Sequence, residues 1–85
     1  MAEDEIDFLQ FVMSIVQQGM MCLGEIENPM TKKKEVSLEG AKQTIGILEM
    51  LREKTTGNLE KSEERFLARA LADMQARYID KSDSQ

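Results

Sequence analysis

The apolar residues of the chain recur at the three- and four-residue spacing of amphipathic helices, in three separate segments. The first segment, residues 6–23, is the most apolar, and it is followed by Gly24, a residue type that terminates many helices. The second covers residues 37–55 and begins with Ser37, a preferred N-terminal cap, and the third covers residues 61–79. The pattern therefore predicts an all-α fold made of three helices.

The segments between and around these helices are polar. Residues 25–36 contain an Asn-Pro pair and three consecutive lysines, which predict a loop. Residues 1–5 are acidic and residues 80–85 are polar, and we expect both to be tails. The prediction is a single domain over residues 6–79 with a tail at each end.

The first helix has an unusually wide apolar arc. On a helical wheel the arc spans roughly 200°, about twice the stripe of an ordinary surface helix. One neighbouring helix cannot cover such an arc, so we expect the first helix to be central and to have neighbours on two sides. Gly19 lies in the middle of the arc and predicts a close crossing with another helix. The remaining polar stripe consists of Gln10, Ser14, Gln17 and Gln18.

A bundle of these three helices leaves one flank of the first helix and two residues of the second uncovered. Because this is a large apolar surface for a small monomer, we expect a homo-oligomer, most simply a two-fold dimer, or an unidentified protein partner. The glutamate variant Ile15→Glu should then dissociate the assembly while leaving helicity in place. The candidate interface residues are Phe8, Phe11, Ile15, Gly19, Cys22, Ile47 and Met50.

Composition excludes several classes of function. The chain has 85 residues, which is one domain at most, and its formal charge of −5 argues against nucleic acid as a partner. It contains no histidine, so histidine-based catalytic triads are excluded and zinc or haem sites are disfavoured. We therefore expect no enzyme activity, no catalytic residue, no metal and no cofactor. The interpretation that remains is a helical module for protein interaction or oligomerisation.

The apolar run does not predict a membrane span. A span needs about 20 predominantly apolar residues, and residues 8–23 are interrupted by the glutamine stripe. The acidic start of the sequence lacks the basic region of a secretory signal, and a single cysteine fits a reducing compartment. We expect a cytoplasmic protein.

Two alternative functions stay open. Cys22 with Met20 and Met21 offers soft donors, which allows a soft-metal or thiol-redox role. Neighbouring residues on a helix point about 100° apart, however, so these three side chains cannot share one ion and packing is the favoured interpretation. The second alternative is a weak anion or RNA contact through Lys32–Lys34, a short run without aromatic residues and with acidic neighbours.

Two stretches of the sequence resemble a known family. These are "LGE…NP" at residues 23–29 and "AKQTI…L.MLREKT.GNL" at residues 41–59, within a similarity that runs from about Phe8 to Tyr78. The family is the domain of unknown function numbered eighteen forty-four, and the resemblance implies a small, all-helical, cytoplasmic bacterial protein without an assigned activity. Members usually open the third helix with Thr-Pro, whereas this chain has Glu60-Lys61, which leaves the start of that helix open.

Overall fold

A computed structural model describes residues 7–84 and contains three helices over that range. The predicted all-α, three-helix fold is confirmed. No β-strand occurs among residues 7–84, apart from two isolated bridge pairs in the loop between the first two helices. The helices are α1 (Phe8–Cys22), α2 (Leu38–Lys54) and α3 (Lys61–Ser84).

Side chains next to the helix starts satisfy backbone amides that have no partner inside the helix. The Asp7 carboxylate accepts a hydrogen bond from the amide two residues later (3.0 Å), and the Ser37 hydroxyl accepts one from the amide three residues later (3.2 Å). At α3 the Glu60 amide donates to the Glu63 carboxylate (2.9 Å), which is the backward half of a capping box. The third helix thus starts at Lys61 without a Thr-Pro pair.

The C-terminal end of α3 differs from the prediction. The helix continues past residue 79 to Ser84, so most of the predicted polar tail, residues 80–85, is helical. No glycine or proline interrupts residues 61–84, and the Lys81 ammonium lies 3.8 Å from the Glu25 carboxylate in the α1–α2 loop. The bounds of α1 and α2 lie within two residues of the predicted ones, and residues 1–5 fall outside the described range.

Gly24 terminates α1, as the sequence predicts. Its φ angle is 75°, a left-handed conformation that side chains disfavour. The Gly24 amide donates to the Met21 carbonyl (3.1 Å), and the Glu25 amide donates to the Met20 carbonyl (2.9 Å). This pair of bonds is a Schellman motif, which satisfies the last carbonyls of the helix and turns the chain toward α2.

The three helices form an up-down-up bundle in which each helix contacts the other two. Cys22 lies against Gly40, and Gly19 lies against Thr44, so residue numbers fall along α2 as they rise along α1 and the two helices are antiparallel. Gly19 also contacts Met74 on α3. The buried apolar core between the helices consists of Val12, Leu23, Ala41, Ile45, Leu48, Leu67, Leu71 and Met74.

An ion-pair cluster attaches the α1–α2 loop to α3. The Arg77 guanidinium donates hydrogen bonds to Glu25 in the loop and to Asp73 one turn earlier on its own helix (3.0 Å). The hydrogen bond and charge of Asp73, with a smaller contribution from Glu25, raise the pKa of Arg77 above its ordinary value. These side chains are substantially solvent-exposed, so the cluster orients the loop and stabilises it little.

The three helices meet at Gly19, the position where the sequence predicts a close crossing. A Cβ atom added there would lie 2.9 Å from Thr44 Cγ2 on α2 and closer still to the terminal methyl of Met74 on α3. Met74 has no solvent exposure and Thr44 is 4% exposed, so neither can move into open space. A residue with a Cβ atom fits at this crossing only if the Thr44 and Met74 side chains shift.

A pair of glycine substitutions tests the crossing. Gly19→Ala should lower the free energy of unfolding by about 1–2 kcal/mol, because overpacking costs more than the gain in helix propensity. Gly46→Ala is the matched control, since a Cβ there has no neighbour within 4 Å. It should raise the free energy of unfolding by about 0.5–1 kcal/mol, the ordinary gain of alanine over glycine inside a helix.

Urea titration at one protein concentration, followed by circular dichroism, measures both changes. Equal stabilisation by the two alanines would contradict a close crossing at Gly19.

Candidate interaction surface

The solvent-exposed side of α1 carries no charge. Lys, Arg, Asp and Glu are all absent from Phe8 to Gly24, whereas the exposed positions of α2 and α3 are mostly charged. The cores of protein interfaces are depleted in charged residues, and this side of α1 shares that feature and contains one aromatic residue and one methionine among four polar residues. We call this side of α1 the neutral face, and it consists of Gln10, Phe11, Met13, Ser14, Gln17 and Gln18.

Apolar side chains border the neutral face on its α2 side. The two helices are antiparallel, and Gly19 of α1 lies against Thr44 of α2. One helical turn further along, Ile15 is therefore level with Ile47. Phe11 lies one turn closer to the N-terminus than Ile15, on the same side of α1. Phe11 is 47% exposed and Ile47 is 43% exposed, so both present apolar surface to solvent along this edge.

A groove borders the neutral face on its α3 side. It has a volume of about 360 Å³ and runs between α1 and α3. Met13, which is 43% exposed, belongs to both the groove and the neutral face. The lining is apolar with one basic and one acidic residue, and it consists of Met13, Val16, Phe66, Ala70, Arg69 and Asp73.

The candidate interface predicted from the sequence does not lie on one surface. Gly19 is buried at the helix crossing, while three residues are exposed and three are half-buried against the core. The exposed residues are Phe11, Ile47 and Met50, and the half-buried ones are Phe8, Ile15 and Cys22. A wheel cannot tell which part of a wide apolar arc the neighbouring helices will cover.

The partial burial of Ile15 affects the choice of a variant that tests association. Its side chain packs against the buried core, so a glutamate at that position would disturb folding as well as association. Phe11 is 47% exposed, so a substitution there removes less buried surface than one at the half-buried Ile15, which makes it the better position for testing association.

Sequence reasoning missed the part of the surface formed by the glutamines. The stripe of Gln10, Ser14, Gln17 and Gln18 reads as an ordinary water-facing edge because these residues are polar. The signal that identifies it is the complete absence of charge in a chain that is 32% charged. Charge patterning along the exposed side of a helix, rather than hydropathy, would have revealed this surface.

Cys22 is packed between α1 and α2. Its sulfur fills the space beside Gly40, where a Cβ atom would lie 2.7 Å from Sγ, and the side chain is half-buried. Within residues 7–84 there is no group of three or more His, Cys, Asp or Glu side chains that could hold a metal ion. The contact of its sulfur with Gly40 is a packing contact, in which Cys22 fills space as a small apolar residue does.

The three lysines lie on a tight turn in the α1–α2 loop. The Asn28 amide donates to the carbonyl at residue 33 (3.0 Å), and the Met30 amide donates to the Asn28 side chain (2.8 Å), which holds Met30 at the apex with 89% exposure. Lys32–Lys34 are all exposed, and the acidic residues Glu35 and Glu27 flank the turn. The turn is electrically mixed and does not form a basic patch.

None of the helices between residues 7 and 84 combines the length and the apolar character that crossing a bilayer requires. Comparison with curated proteins gives no match, and comparison with solved structures gives none either. One family model matches the chain over residues 5–80, and it is described as a domain of unknown function. This match covers nearly the whole chain and confirms the resemblance seen in the sequence: the chain belongs to the DUF1844 family.

Proposed function

We propose that this protein is a non-enzymatic helical interaction module that binds another protein chain through the neutral face of α1. The observation that carries the proposal is that this exposed face has no charge while the exposed sides of α2 and α3 are mostly charged. A surface kept for contact with water has no physical reason to exclude lysine and glutamate. A surface that becomes buried does, because unpaired charges are costly to desolvate.

The apolar borders of the neutral face provide a driving force. Phe11, Met13 and Ile47 are each between 43% and 47% exposed, so a partner can still remove about half of each side chain from water. At about 25 cal/mol per Å² of apolar surface, each such residue contributes roughly 1 kcal/mol to binding. Because α1 is already folded on the bundle, little conformational entropy is lost when it binds.

The chemistry of the chain supports an interaction role over catalysis. Without histidine the hydroxyls of Ser14 and Thr44 have no imidazole base, and both donate to backbone carbonyls of their own helices instead. The single cysteine and the resemblance to short bacterial proteins support placing the module in the bacterial cytoplasm. Among residues 7–84 the packing of Cys22 against Gly40 and the acidic residues beside Lys32–Lys34 favour the interaction role over the metal, redox and anion-binding alternatives.

Photo-crosslinking in the native cell tests the proposal. A benzophenone amino acid at Gln17, in the neutral face, should give a covalent adduct with a protein under ultraviolet light. The same amino acid at Ala72, an exposed position of α3 away from α1, should give none, because no partner lies there. Adducts at Ala72 and none at Gln17 would contradict the proposal.

Removal of one apolar contact tests the driving force. Phe11→Ser should lower the yield of the Gln17 adduct about fivefold, since the lost burial is worth roughly 1 kcal/mol. Most of the helicity should be kept, because nearly half of Phe11 is already exposed to solvent. Met30→Ser removes an even more exposed apolar side chain outside the neutral face and should leave the yield unchanged. An equal loss of adduct yield in Phe11→Ser and Met30→Ser would count against a specific role for Phe11.

A further inference from the structure

Resting on the proposed function, we infer that the partner on the neutral face is a second copy of this chain, with α1 packed against α1 of the other copy across a two-fold axis. The charge distribution is the first reason. Four of the acidic residues behind the formal charge of −5 lie in residues 1–7, and the exposed sides of α2 and α3 carry charges of both signs, which are costly to desolvate. The neutral face is the side of the bundle on which two copies can meet without bringing like charges together.

The neutral face is also compatible with itself. A two-fold interface places the same patch on both sides, so the groups of the patch must be able to contact the same groups on the other copy. Glutamine and serine side chains both donate and accept hydrogen bonds, so they pair with one another, which carboxylates or ammonium groups cannot do. A site for a different, charged partner would instead carry the complementary charge, and α1 has none.

The spacing along the middle of the neutral face fits a helix pair. Gln10, Ser14 and Gln17 of the neutral face and the half-buried Met21 beyond it follow one another at intervals of four, three and four residues. These are the intervals of a two-stranded coiled-coil seam, here with polar residues at three of the four positions. Ser14, a small side chain, lies near the middle of this seam and permits close approach of the two helices.

An antiparallel arrangement also covers the apolar edge. When two helix faces meet across a two-fold axis perpendicular to the helices, each flank meets the same flank of the other copy. The edge containing Phe11 and Ile47 then packs against its own equivalent, and the exposed apolar surface of both copies is removed from water. The opposed dipoles of the two α1 helices favour the same arrangement.

The size of the face sets the expected affinity. A helix of 15 residues is about 22 Å long. With the groove on its α3 side and the apolar border on its α2 side, it offers roughly 500 Å² per copy, below the ~800 Å² per partner of a standard stable interface. The dimer should therefore dissociate in the micromolar range.

The test introduces one charge into the seam. Ser14 is exposed and glutamate is a good helix former, so Ser14→Glu keeps the fold. It should raise the dissociation constant of the dimer by about a hundredfold or more, because two like charges meet in the interface. The matched control Ala72→Glu makes the same change in charge on the exposed side of α3 and should alter the constant by no more than about twofold.

A charge-swap experiment is specific to self-association. Ser14→Lys alone should weaken the dimer as Ser14→Glu does, and an equimolar mixture of the two variants should restore a heterodimer. Sedimentation velocity from about 1 µM to about 1 mM measures each dissociation constant. Circular dichroism confirms that each variant is folded.

Three outcomes would overturn the inference: a wild-type protein that is monomeric at about 1 mM, equal effects of Ser14→Glu and Ala72→Glu, or a mixture that fails to associate. Its failure is distinguishable from that of the proposed function. A Gln17 adduct with a different protein would exclude a second copy as the partner and leave the proposed interaction function in place. The absence of any Gln17 adduct, of whatever mass, would contradict the proposed interaction function as well.

Discussion

The close approach of three helices at Gly19 determines how the rest of the molecule is arranged. With no Cβ at this position, α1 can lie directly against Thr44 of α2 and Met74 of α3. The contact fixes the rotation of α1 about its own axis, since Gly19 has to face inward. Val12, two turns earlier on the same side, is then completely buried, and the opposite side of α1 has to face solvent.

That rotation explains why the neutral face exists as a surface. The apolar arc of α1 is wider than two neighbouring helices can cover, so its margins, Phe11 and Met13, remain partly exposed on either side of the glutamine stripe. Charged residues lie on α2, on α3, in the loop between α1 and α2, and in residues 3–7 before α1. The molecule therefore combines exposed sides of α2 and α3 that carry charges of both signs with one uncharged side on α1.

The sequence predicts the fold well and the candidate surface only in part, for identifiable physical reasons. Helical periodicity, the Ser37 cap and the glycine at position 24 are local signals, and the structure follows them. The extension of α3 to Ser84 was missed because polar composition suggested a tail, although no residue there breaks a helix. Cys22 was assigned to the interface because a wheel gives directions around one helix and says nothing about where its neighbours lie.

The measurement that tests this account most directly is isotope-filtered nuclear magnetic resonance on a mixture of ¹³C-labelled and unlabelled protein at millimolar concentration. Only contacts between different copies give signals in such a sample. Association through the neutral face predicts cross-peaks from the Met13 methyl and the Phe11 ring of one copy to α1 protons of the other. Cross-peaks confined to α3, or none in the mixture, would contradict it.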